Sequence, residues 1–242
     1  MESSNIDFNF CFPVPNVLGS ERVQLVPFVP SEHAEPFIEQ CLLYPSVFEN
    51  LPFGPFKDAH DLTTNYFIPH VQSNPGYLMF LIWDKTKPSS LPGAPGSIAG
   101  MMGYLNTSSI NLSTEIGCII IFPPFQRTHV TSNAVGLLLN YALNLPSRQA
   151  GALGLRRVFW QTNSMNQASV RLAGRMQFKL EGTLRWDRVL PANKTVGNGK
   201  KVREGDPRSD CIGRDTVMLS LCWDDWEDGA REAVDAIMNR TA

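Results

Sequence analysis

Cysteine is scarce in this 242-residue chain, and its five copies are scattered without a CxxC pair or another close cluster. An odd, dispersed set of cysteines argues against a disulfide framework. It also lacks the paired spacing that is typical of zinc sites, and the four histidines add no metal-ligand pattern. We therefore predict that the protein holds no metal ion.

Long apolar runs and a charge of one sign are also missing. No apolar stretch reaches the roughly 20 residues that are needed to span a bilayer. Residues 1–4 lack the basic flank and the apolar run of a signal peptide. The net charge of −2 gives no electrostatic basis for binding nucleic acid or an anionic membrane. These absences predict a cytoplasmic protein that binds neither a membrane nor nucleic acid.

An ordinary globular composition accompanies these absences. Hydrophobic residues make up 43% of the chain and charged residues 18%, which is enough apolar surface for a substantial core. Residues 1–20 are rich in Phe, Pro and Asn and show no period, which indicates a loosely structured N-terminal lead-in segment. Residues 21–242 show no internal repeat or linker, and we predict that they form a single domain.

Short apolar and alternating segments predict the strands of this domain. The strand at 114–122 carries Ile119, Ile120 and Ile121 in succession, which is typical of a strand that is covered on both faces. The predicted strands are 21–29, 77–84, 97–104, 114–122, 158–163, 178–189 and 216–222.

Segments with a helical period alternate with these strands. The clearest is 131–145, where apolar residues recur at helical spacing up to the stop at Pro146. Ser31 is the expected N-cap of the first helix. The order of elements indicates an α/β (α+β) fold, with a mixed central sheet of about six to seven strands flanked by helices. The predicted helices are 31–43, 58–70, 131–145, 167–176 and 225–238.

The turn at 125–131 joins the most apolar strand to the long helix. A helix start leaves four backbone N–H groups without intrahelical partners and carries a partial positive charge. It therefore suits a phosphate or a pyrophosphate, and the charge of Arg127 would strengthen such a site. Most strand-to-helix turns bind nothing, so the turn alone does not decide the function.

Two stretches around this turn resemble the cofactor-binding half of GNAT acetyltransferases. The first is EIGCIIIFPPFQRT, and the second is WQTNSMNQASVRLAGRMQFKLEGTLR. The second follows the family pattern of Asn-x-x-(Asn/Ala)-Ser, a helix, Gly-Phe and Glu-Gly at Asn163, Asn166, Ser169, Phe178 and Glu181-Gly182. The resemblance is closest to the ribosomal-protein N-terminal alanine acetyltransferases, and it spans about residues 97–185.

The chain departs from this family at two points. The family loop is usually Gln/Arg-x-x-Gly-x-Gly/Ala, but His129 and Thr131 stand where glycine or a small residue is expected. The donors to the cofactor are backbone N–H groups, so binding can survive with an altered loop geometry. Gln177 replaces the usual glycine after the second helix, which is expected to cost stability at that C-cap.

The resemblance implies that acetyl-CoA is the cofactor and lies in a gap beside the strand at 114–122. The backbone of Ile119 to Ile121 would then hold the pantetheine arm and polarise the thioester carbonyl. Asn163 and Asn166 would contact the far side of the cofactor; the alternative is that they only end a strand and cap a helix. The implied cofactor-binding residues are Ile119, Ile120, Ile121, Gln126, Arg127, Thr128, His129, Val130, Thr131, Asn163, Asn166 and Ser169.

Acetyl transfer to an amine needs a base for the amine proton and a proton donor for the departing thiolate. Ser169 matches the family position near the cofactor sulfur and is the candidate acid, unless it only bonds the helix start. Glu115 faces the expected amine pocket and is the first candidate base; the alternative is a structural partner for an arginine. Asp215, beside the long loop, is the second candidate base. His129 titrates near neutrality, but its place in the turn favours a structural or phosphate-side role.

Together these features predict an acetyl-CoA-dependent N-acetyltransferase in which a primary amine, of a small molecule or a protein N-terminus, attacks the thioester directly. The protein would be a monomer or a homodimer. The long polar loop at 191–215 would shape the substrate pocket. Two alternatives stay open, a non-catalytic CoA-binding or interaction module and an acyltransferase with an alcohol acceptor. The loop residues that would suit an acidic or phosphorylated substrate are Lys194, Lys200, Lys201 and Arg203.

Overall fold

The computed structural model describes residues 7–89 and 91–240. Within them the chain forms one eight-stranded sheet with the spatial order β1-β2-β3-β4-β5-β6-β8-β7. Every neighbouring pair is antiparallel except β5 and β6, which run parallel. The strands are β1 Leu18–Gly19, β2 Val23–Pro27, β3 Leu78–Asp84, β4 Ser97–Ser108, β5 Ser113–Ile121, β6 Arg157–Asn163, β7 Lys179–Val189 and β8 Gly213–Cys222.

The predicted α/β domain with a mixed sheet flanked by helices is confirmed, but the sheet has eight strands instead of six to seven. All seven segments that we predicted as strands are present. The additional strand, β1, consists only of Leu18 and Gly19, which pair with β2. A strand of two residues is too short to show an alternating pattern, so the sequence gives no signal for it.

In the described residues six α-helices pack against the sheet. α2 continues as a π-helix over Leu62–Gln72, and α5 continues as a π-helix over Trp226–Ala230. The prediction of one unbroken helix at 225–238 is wrong, because Asp228 and Gly229 have non-helical backbone angles. None of the helices in this part of the chain is both long and apolar enough to cross a bilayer. The helices are α1 Pro30–Leu43, α2 Ala59–Asp61, α3 His129–Leu143, α4 Gln167–Arg175, α5 Trp223–Asp225 and α6 Arg231–Met238.

The start of α1 differs from the prediction that Ser31 caps it. Pro30 is the first helical residue and Val29 is the N-cap, without a side-chain cap bond. The backbone N–H of Val29 instead donates to Nδ1 of His33, at 2.9 Å. Proline is well suited to the first helical position, because it has no N–H to leave unpaired and its φ is already helical. The helix therefore begins two residues earlier than a serine cap at Ser31 would place it.

The sheet is buried on both faces. α3 and α6 cover one face, which we call the α3 face. The other, the α1 face, is covered by α1 and by the π-helix that continues α2. The strand β5 contributes to both cores, since Ile121 lies in the core of the α3 face and Ile120 in that of the α1 face. The predicted double coverage of this strand is therefore confirmed. Each large apolar side chain that is fully buried stabilises the fold by about 1.5–3 kcal/mol, so both layers hold β5 in place.

The described part of the N-terminal lead-in lies against the domain and is not loosely structured. The backbone N–H of Cys11 donates to the carbonyl oxygen of Pro75 at 2.8 Å. The hydroxyl of Tyr141 in α3 donates to the carbonyl oxygen of Pro13 at 2.7 Å. Aromatic side chains of this segment, such as Phe10, pack against the core of the α3 face. The apolar residues of this segment show no helical or strand period because the segment follows an extended path across the surface of the domain.

Candidate active site

β5 and β6 run side by side for only a short distance. Their parallel pairing joins residues 113–115 to residues 157–159 and, within the described chain, goes no further. Beyond it β5 stays paired with β4, and β6 stays paired with β8. The two facing edges therefore carry main-chain N–H and C=O groups without strand partners. The gap that opens between them, which we call the wedge, can bind an extended ligand through the backbone.

A β-bulge bends β5 where it leaves β6. The pairing with β4 shifts by one residue, so that Met102 faces both Cys118 and Ile119. Cys118 has a φ of 50°, in the left-handed region that few non-glycine residues adopt. On β4, a Cβ at Gly100 would lie 1.9 Å from the carbonyl oxygen of Ile120, so only glycine fits there. Bulges occur often next to active sites, and this one lies on the edge of the wedge.

The predicted phosphate turn leads from the end of β5 into α3. Thr128 is the N-cap of α3, and its hydroxyl oxygen accepts from the N–H of Val130 at 3.2 Å. Arg127 is exposed and has a φ of 60°. The side-chain amide of Gln126 donates to the carbonyl oxygen of Ile121 at 2.9 Å, which ties the turn to the end of β5. The positive end of α3 therefore lies at the same end of the sheet as the open end of the wedge.

The two residues that replace the family glycines do not distort this turn. His129 and Thr131 both lie in the first turn of α3, where neither residue needs a left-handed backbone conformation. The ring Nε2 of His129 lies 3.3 Å from Oδ1 of Asp84, on the neighbouring strand β3. The one left-handed residue of the turn is Arg127, which is at neither of these positions. The N–H groups at the start of α3 therefore belong to a regular helix start, and a difference in loop geometry from the family stays a prediction.

Asn163 and Asn166 both make bonds within the protein. The amide of Asn163 donates to the carbonyl oxygen of Val196 at 3.0 Å, and its Oδ1 accepts from the N–H of Met165 at 3.0 Å. Oδ1 of Asn166 accepts from the N–H of Ser169 at 3.1 Å and caps α4. The structural alternatives for these two residues are therefore realised. Contact of either residue with a cofactor stays a prediction.

Ser169 is held by a buried indole. Nε1 of Trp160 donates to the hydroxyl oxygen of Ser169 at 2.9 Å. Trp160 itself is 1% exposed and packs edge-on against Phe178, with 5.4 Å between the ring centroids. A serine hydroxyl that accepts one bond still has its own proton to donate, and the described residues offer no acceptor for it. The side chain of Ser169 can therefore donate a proton to a group in front of α4.

Glu115 is a buried carboxyl group on the α1 face. Its Oε2 accepts from the side-chain amides of Asn106 at 2.8 Å and Gln161 at 3.2 Å, and its Oε1 accepts from no described residue. Burial raises the pKa of Glu115 to about 7, against the opposing effects of the Asn106 bond and of the positive charges of Arg188 and Arg214. A carboxyl group with such a pKa can act as a base near neutral pH.

Asp215, the second candidate base, has the opposite surroundings. It accepts from the ammonium of Lys200 at 2.8 Å, from the N–H of Trp186 at 2.8 Å and from the amide of Asn198 at 2.9 Å. The bond to Lys200, followed by those to Trp186 and Asn198, lowers the pKa of Asp215 to about 2. Glu115 lies beside the start of β6 and Asp215 lies beyond its end, so the structure does not bring the two together.

The loop at 190–212 uses two of its basic residues to fix its own position. Lys194 is 6% exposed, and its ammonium donates to the carbonyl oxygens of Phe48 at 2.9 Å and Phe53 at 2.6 Å. Lys200 pairs with Asp215. The expectation that Lys194 faces an acidic substrate is therefore wrong, because its ammonium is buried and bonded to main-chain carbonyls. For Lys200, which is 46% exposed, the expectation stays a prediction.

Glu115 is surrounded by a set of polar side chains that was not predicted from the sequence. The side chain of Arg188 on β7 reaches past β8 to β6, where its Nη2 donates to Oε1 of Gln161 at 3.2 Å. One signal was available: Gln161 lies two residues before Asn163 on a strand, so both side chains share a face with the predicted site. No comparable signal marks the arginines, because they come from strands that are distant in the sequence. This set, which we call the acceptor cluster, consists of Asn106, Glu115, Gln161, Asp187, Arg188 and Arg214.

Comparison with known proteins agrees with this geometry. A family model described as an acetyltransferase (GNAT) domain matches residues 22–179, which is more than half of the chain. A search of curated protein sequences finds no significant match. Many solved structures, in contrast, share the fold.

Three of these structures illustrate the likeness. A probable GNAT-family acetyltransferase from Chromobacterium violaceum is 25% identical, with a TM-score of 0.69, over 89% of this chain and 90% of its own. RimL, a ribosomal L7/L12 α-N-protein acetyltransferase, is 18% identical, with a TM-score of 0.60, over 85% of this chain and 93% of its own. The spermidine N-acetyltransferase from Vibrio cholerae, solved with CoA and spermine, is 15% identical, with a TM-score of 0.59, over 86% and 99%. The last two show a common fold alone. From the family match, this chain belongs to the GNAT acetyltransferases.

Proposed function

We propose that the protein is an acetyl-CoA-dependent N-acetyltransferase that acts on a primary amine. One observation carries this proposal: a buried carboxyl group with a pKa of about 7, that of Glu115, lies at the point where the wedge opens. A general base works best when its pKa is near the working pH. Membership of the GNAT family supports acetyl transfer, and this carboxyl group supports an amine, which must lose a proton, as the acceptor.

The wedge fits the cofactor that the family implies, because its strand edges offer unpaired main-chain groups. Acetyl-CoA supplies an activated thioester when it is bound. The main chain of residues 119–121 would pair with the extended pantetheine arm much as a strand pairs with a sheet edge. The first N–H groups of α3, with Arg127 beside them, would bind the pyrophosphate.

Glu115 takes the proton of the acceptor. A primary amine is mostly protonated at neutral pH and cannot attack until that proton leaves. Asn106 and Gln161 fix Oε2 of the carboxylate, which leaves Oε1 for the ammonium group. Because burial disfavours the ionised form of Glu115, the carboxylate gains more from accepting a proton than an exposed one would.

Ser169 gives a proton to the departing thiolate. The indole N–H of Trp160 holds the hydroxyl oxygen, so that the hydroxyl proton points away from that bond. Glu115 contacts the α1 face of the sheet, whereas Ser169 is bonded to a residue in the core of the α3 face. In this proposal the acid and the base therefore approach the wedge from opposite faces of the sheet.

Calorimetric titration with acetyl-CoA and with desulfo-CoA tests this function first. We expect one-to-one binding with a micromolar Kd for both, and release of CoA from acetyl-CoA when a suitable amine is added. No detectable binding would overturn the proposal. Tight binding without turnover of any amine would instead identify a non-catalytic CoA-binding module. A Glu115→Gln variant distinguishes these outcomes, since it should keep the affinity for acetyl-CoA and lose the turnover.

A further inference from the structure

Arg214 is a buried cation whose bonds within the protein are incomplete. The residue is 4% exposed, and its Nε donates to the hydroxyl of Thr216 at 3.1 Å. Its two terminal nitrogens have no acceptor among the described residues. Every fully buried side-chain nitrogen or oxygen in this part of the chain has a hydrogen-bond partner. The terminal nitrogens of Arg214 must therefore face a space that solvent or a ligand can enter.

That space belongs to the acceptor cluster. Arg214 lies opposite Arg188 in the pairing of β8 with β7, and Thr216, which accepts from Arg214, donates to Oδ2 of Asp187 at 2.7 Å. The positive charges of both arginines also act to lower the pKa of Glu115. Arg188 is connected to Glu115 by Gln161, which accepts from Arg188 at 3.2 Å and donates to Glu115 at 3.2 Å. Both arginines thus lie in the acceptor cluster, next to the group that we propose as the base.

The charges of this cluster do not balance. Arg188 and Arg214 face only Asp187, once Glu115 has taken a proton. The remaining titratable groups nearby, Tyr66, Tyr77 and Cys118, add no negative charge, because burial raises the pKa of each above its ordinary value. A buried guanidinium that lacks an anion is costly. The cluster therefore lacks one negatively charged group.

We propose that the amine acceptor of this protein carries an oxyanion group, a carboxylate or a phosphate, which Arg188 and Arg214 bind beside Glu115. This inference rests on the proposed function. A guanidinium presents two parallel N–H donors that match the two oxygens of such a group. The acceptor is then held at its anionic end by the arginines, while its ammonium end donates to Oε1 of Glu115.

The same cluster disfavours a polycationic acceptor. A polyamine carries further ammonium groups close to the one that reacts, and these would be repelled by Arg188 and Arg214. Like charges brought together in an interface cost several kcal/mol. The acceptor of this chain therefore differs from that of the spermidine N-acetyltransferase with which it shares the fold.

Matched pairs of acceptors test the inference. The linear ω-amino acids from glycine to 6-aminohexanoate are each compared with their carboxamides, with release of CoA as the readout. Phosphoethanolamine against ethanolamine distinguishes phosphate from carboxylate, and spermidine represents the polycations. We expect the anionic member of the best pair to have a KM at least about tenfold lower, as for hydrogen bonds to a charged group.

Arg188→Gln is the variant of choice, because the side chain of Arg188 is 39% exposed and its loss should leave the fold intact. It should remove most of the preference for the anionic acceptor, measured as the ratio of the two KM values within a matched pair. Arg185→Gln, which makes the same change three residues earlier on β7, should keep the preference. Arg214→Lys, which keeps the charge and loses the paired donors, should weaken the preference as well, provided that its melting temperature matches that of the wild type.

Equal KM values within every pair, or a preference for spermidine, would overturn the inference and leave the proposed function standing. If acetyl-CoA binds but no amine is acetylated, the proposed function fails. Calorimetric titration of the same amino acids into the acetyl-CoA complex then decides the inference separately. Binding that is lost in Arg188→Gln would support it, and an absence of binding would overturn it.

Discussion

Glu115 and Asp215 belong to two regions of one sheet that treat a carboxylate in opposite ways. Glu115 accepts from two neutral amides and contacts no cation directly, and burial raises its pKa to about 7. Asp215 accepts from an ammonium and from two N–H donors, which lower its pKa to about 2. The difference shows that one region leaves a carboxylate incompletely stabilised, as the proposed base requires, whereas the other stabilises a carboxylate that is bonded to a loop.

The cations of the two regions follow the same division. Lys194 and Lys200 find their acceptors within the protein and anchor the loop at 190–212. Arg214 is as deeply buried as Lys194, but its terminal nitrogens have no such acceptor among residues 7–89 and 91–240. Incompletely bonded polar groups with shifted pKa values are concentrated at functional sites. The acceptor cluster has this property and the loop anchor does not.

The largest effect that we expect comes from Glu115→Gln. The amide keeps the shape of the side chain and its bonds from Asn106 and Gln161, but it cannot take a proton. General-base catalysis contributes about 10²–10⁴-fold to a rate, so kcat should fall by roughly a hundredfold or more. Steady-state CoA release with the best acceptor measures it, and Glu21→Gln, at an exposed position, is the control. A nearly normal kcat in Glu115→Gln would mean that Glu115 and Asp215 do not differ in their importance for catalysis.

The same substitution that lowers kcat should raise the stability of the protein, relative to the wild type, as the pH increases. The pKa of Glu115 rises from 4.5 to about 7 on folding, so its contribution to stability is complete below pH 4.5 and is lost as the pH rises through 7. Glutamine does not titrate. From the linkage relation, the free energy of unfolding of Glu115→Gln should gain roughly 2–3 kcal/mol on that of the wild type between pH 5 and pH 8. Urea unfolding at the two pH values measures this gain, which Glu21→Gln should not show. An equal difference at both pH values would mean that Glu115 has an ordinary pKa.

Much of the fold could be predicted, because it depends on local patterns. The apolar strands and the helix period of α3 are visible within short windows of sequence. Gln177 was expected to be unfavourable at its C-cap, and it has a φ of 71°, a conformation that suits glycine. The strand β1 and the break at Gly229 have no such pattern, since two residues or one turn carry too little of a period.

The site could be predicted only in part. Glu115 follows from its position on a strand that resembles a known family, and the turn before α3 follows from helix physics. Arg188 and Arg214 belong to the last two strands, and their place beside Glu115 depends on the order β5-β6-β8-β7. A pairing of strands that are distant in sequence is a tertiary property. The distinction between Glu115 and Asp215 likewise depends on burial and partners, which a list of carboxylates does not contain.

The smallest effect, and the sharpest check on the comparison, comes from Asp215→Asn. The amide can still accept from the N–H of Trp186 but no longer attracts Lys200, whose side chain is 46% exposed and whose ion pair is therefore partly screened. Losing the charge at these hydrogen bonds should increase hydrogen exchange of the loop at 190–212 by about tenfold, while kcat stays within about fivefold of the wild type. Asp210→Asn, an exposed change in the same loop, should alter neither.

If Asp215→Asn instead lowered kcat as strongly as Glu115→Gln and left the exchange of the loop unchanged, Asp215 would be the base and the low pKa would have to rise when the substrate binds. The two measurements thus assign each carboxylate to one role. Substitution of a loop anchor changes mainly the hydrogen exchange of the loop, whereas substitution of a base changes mainly kcat.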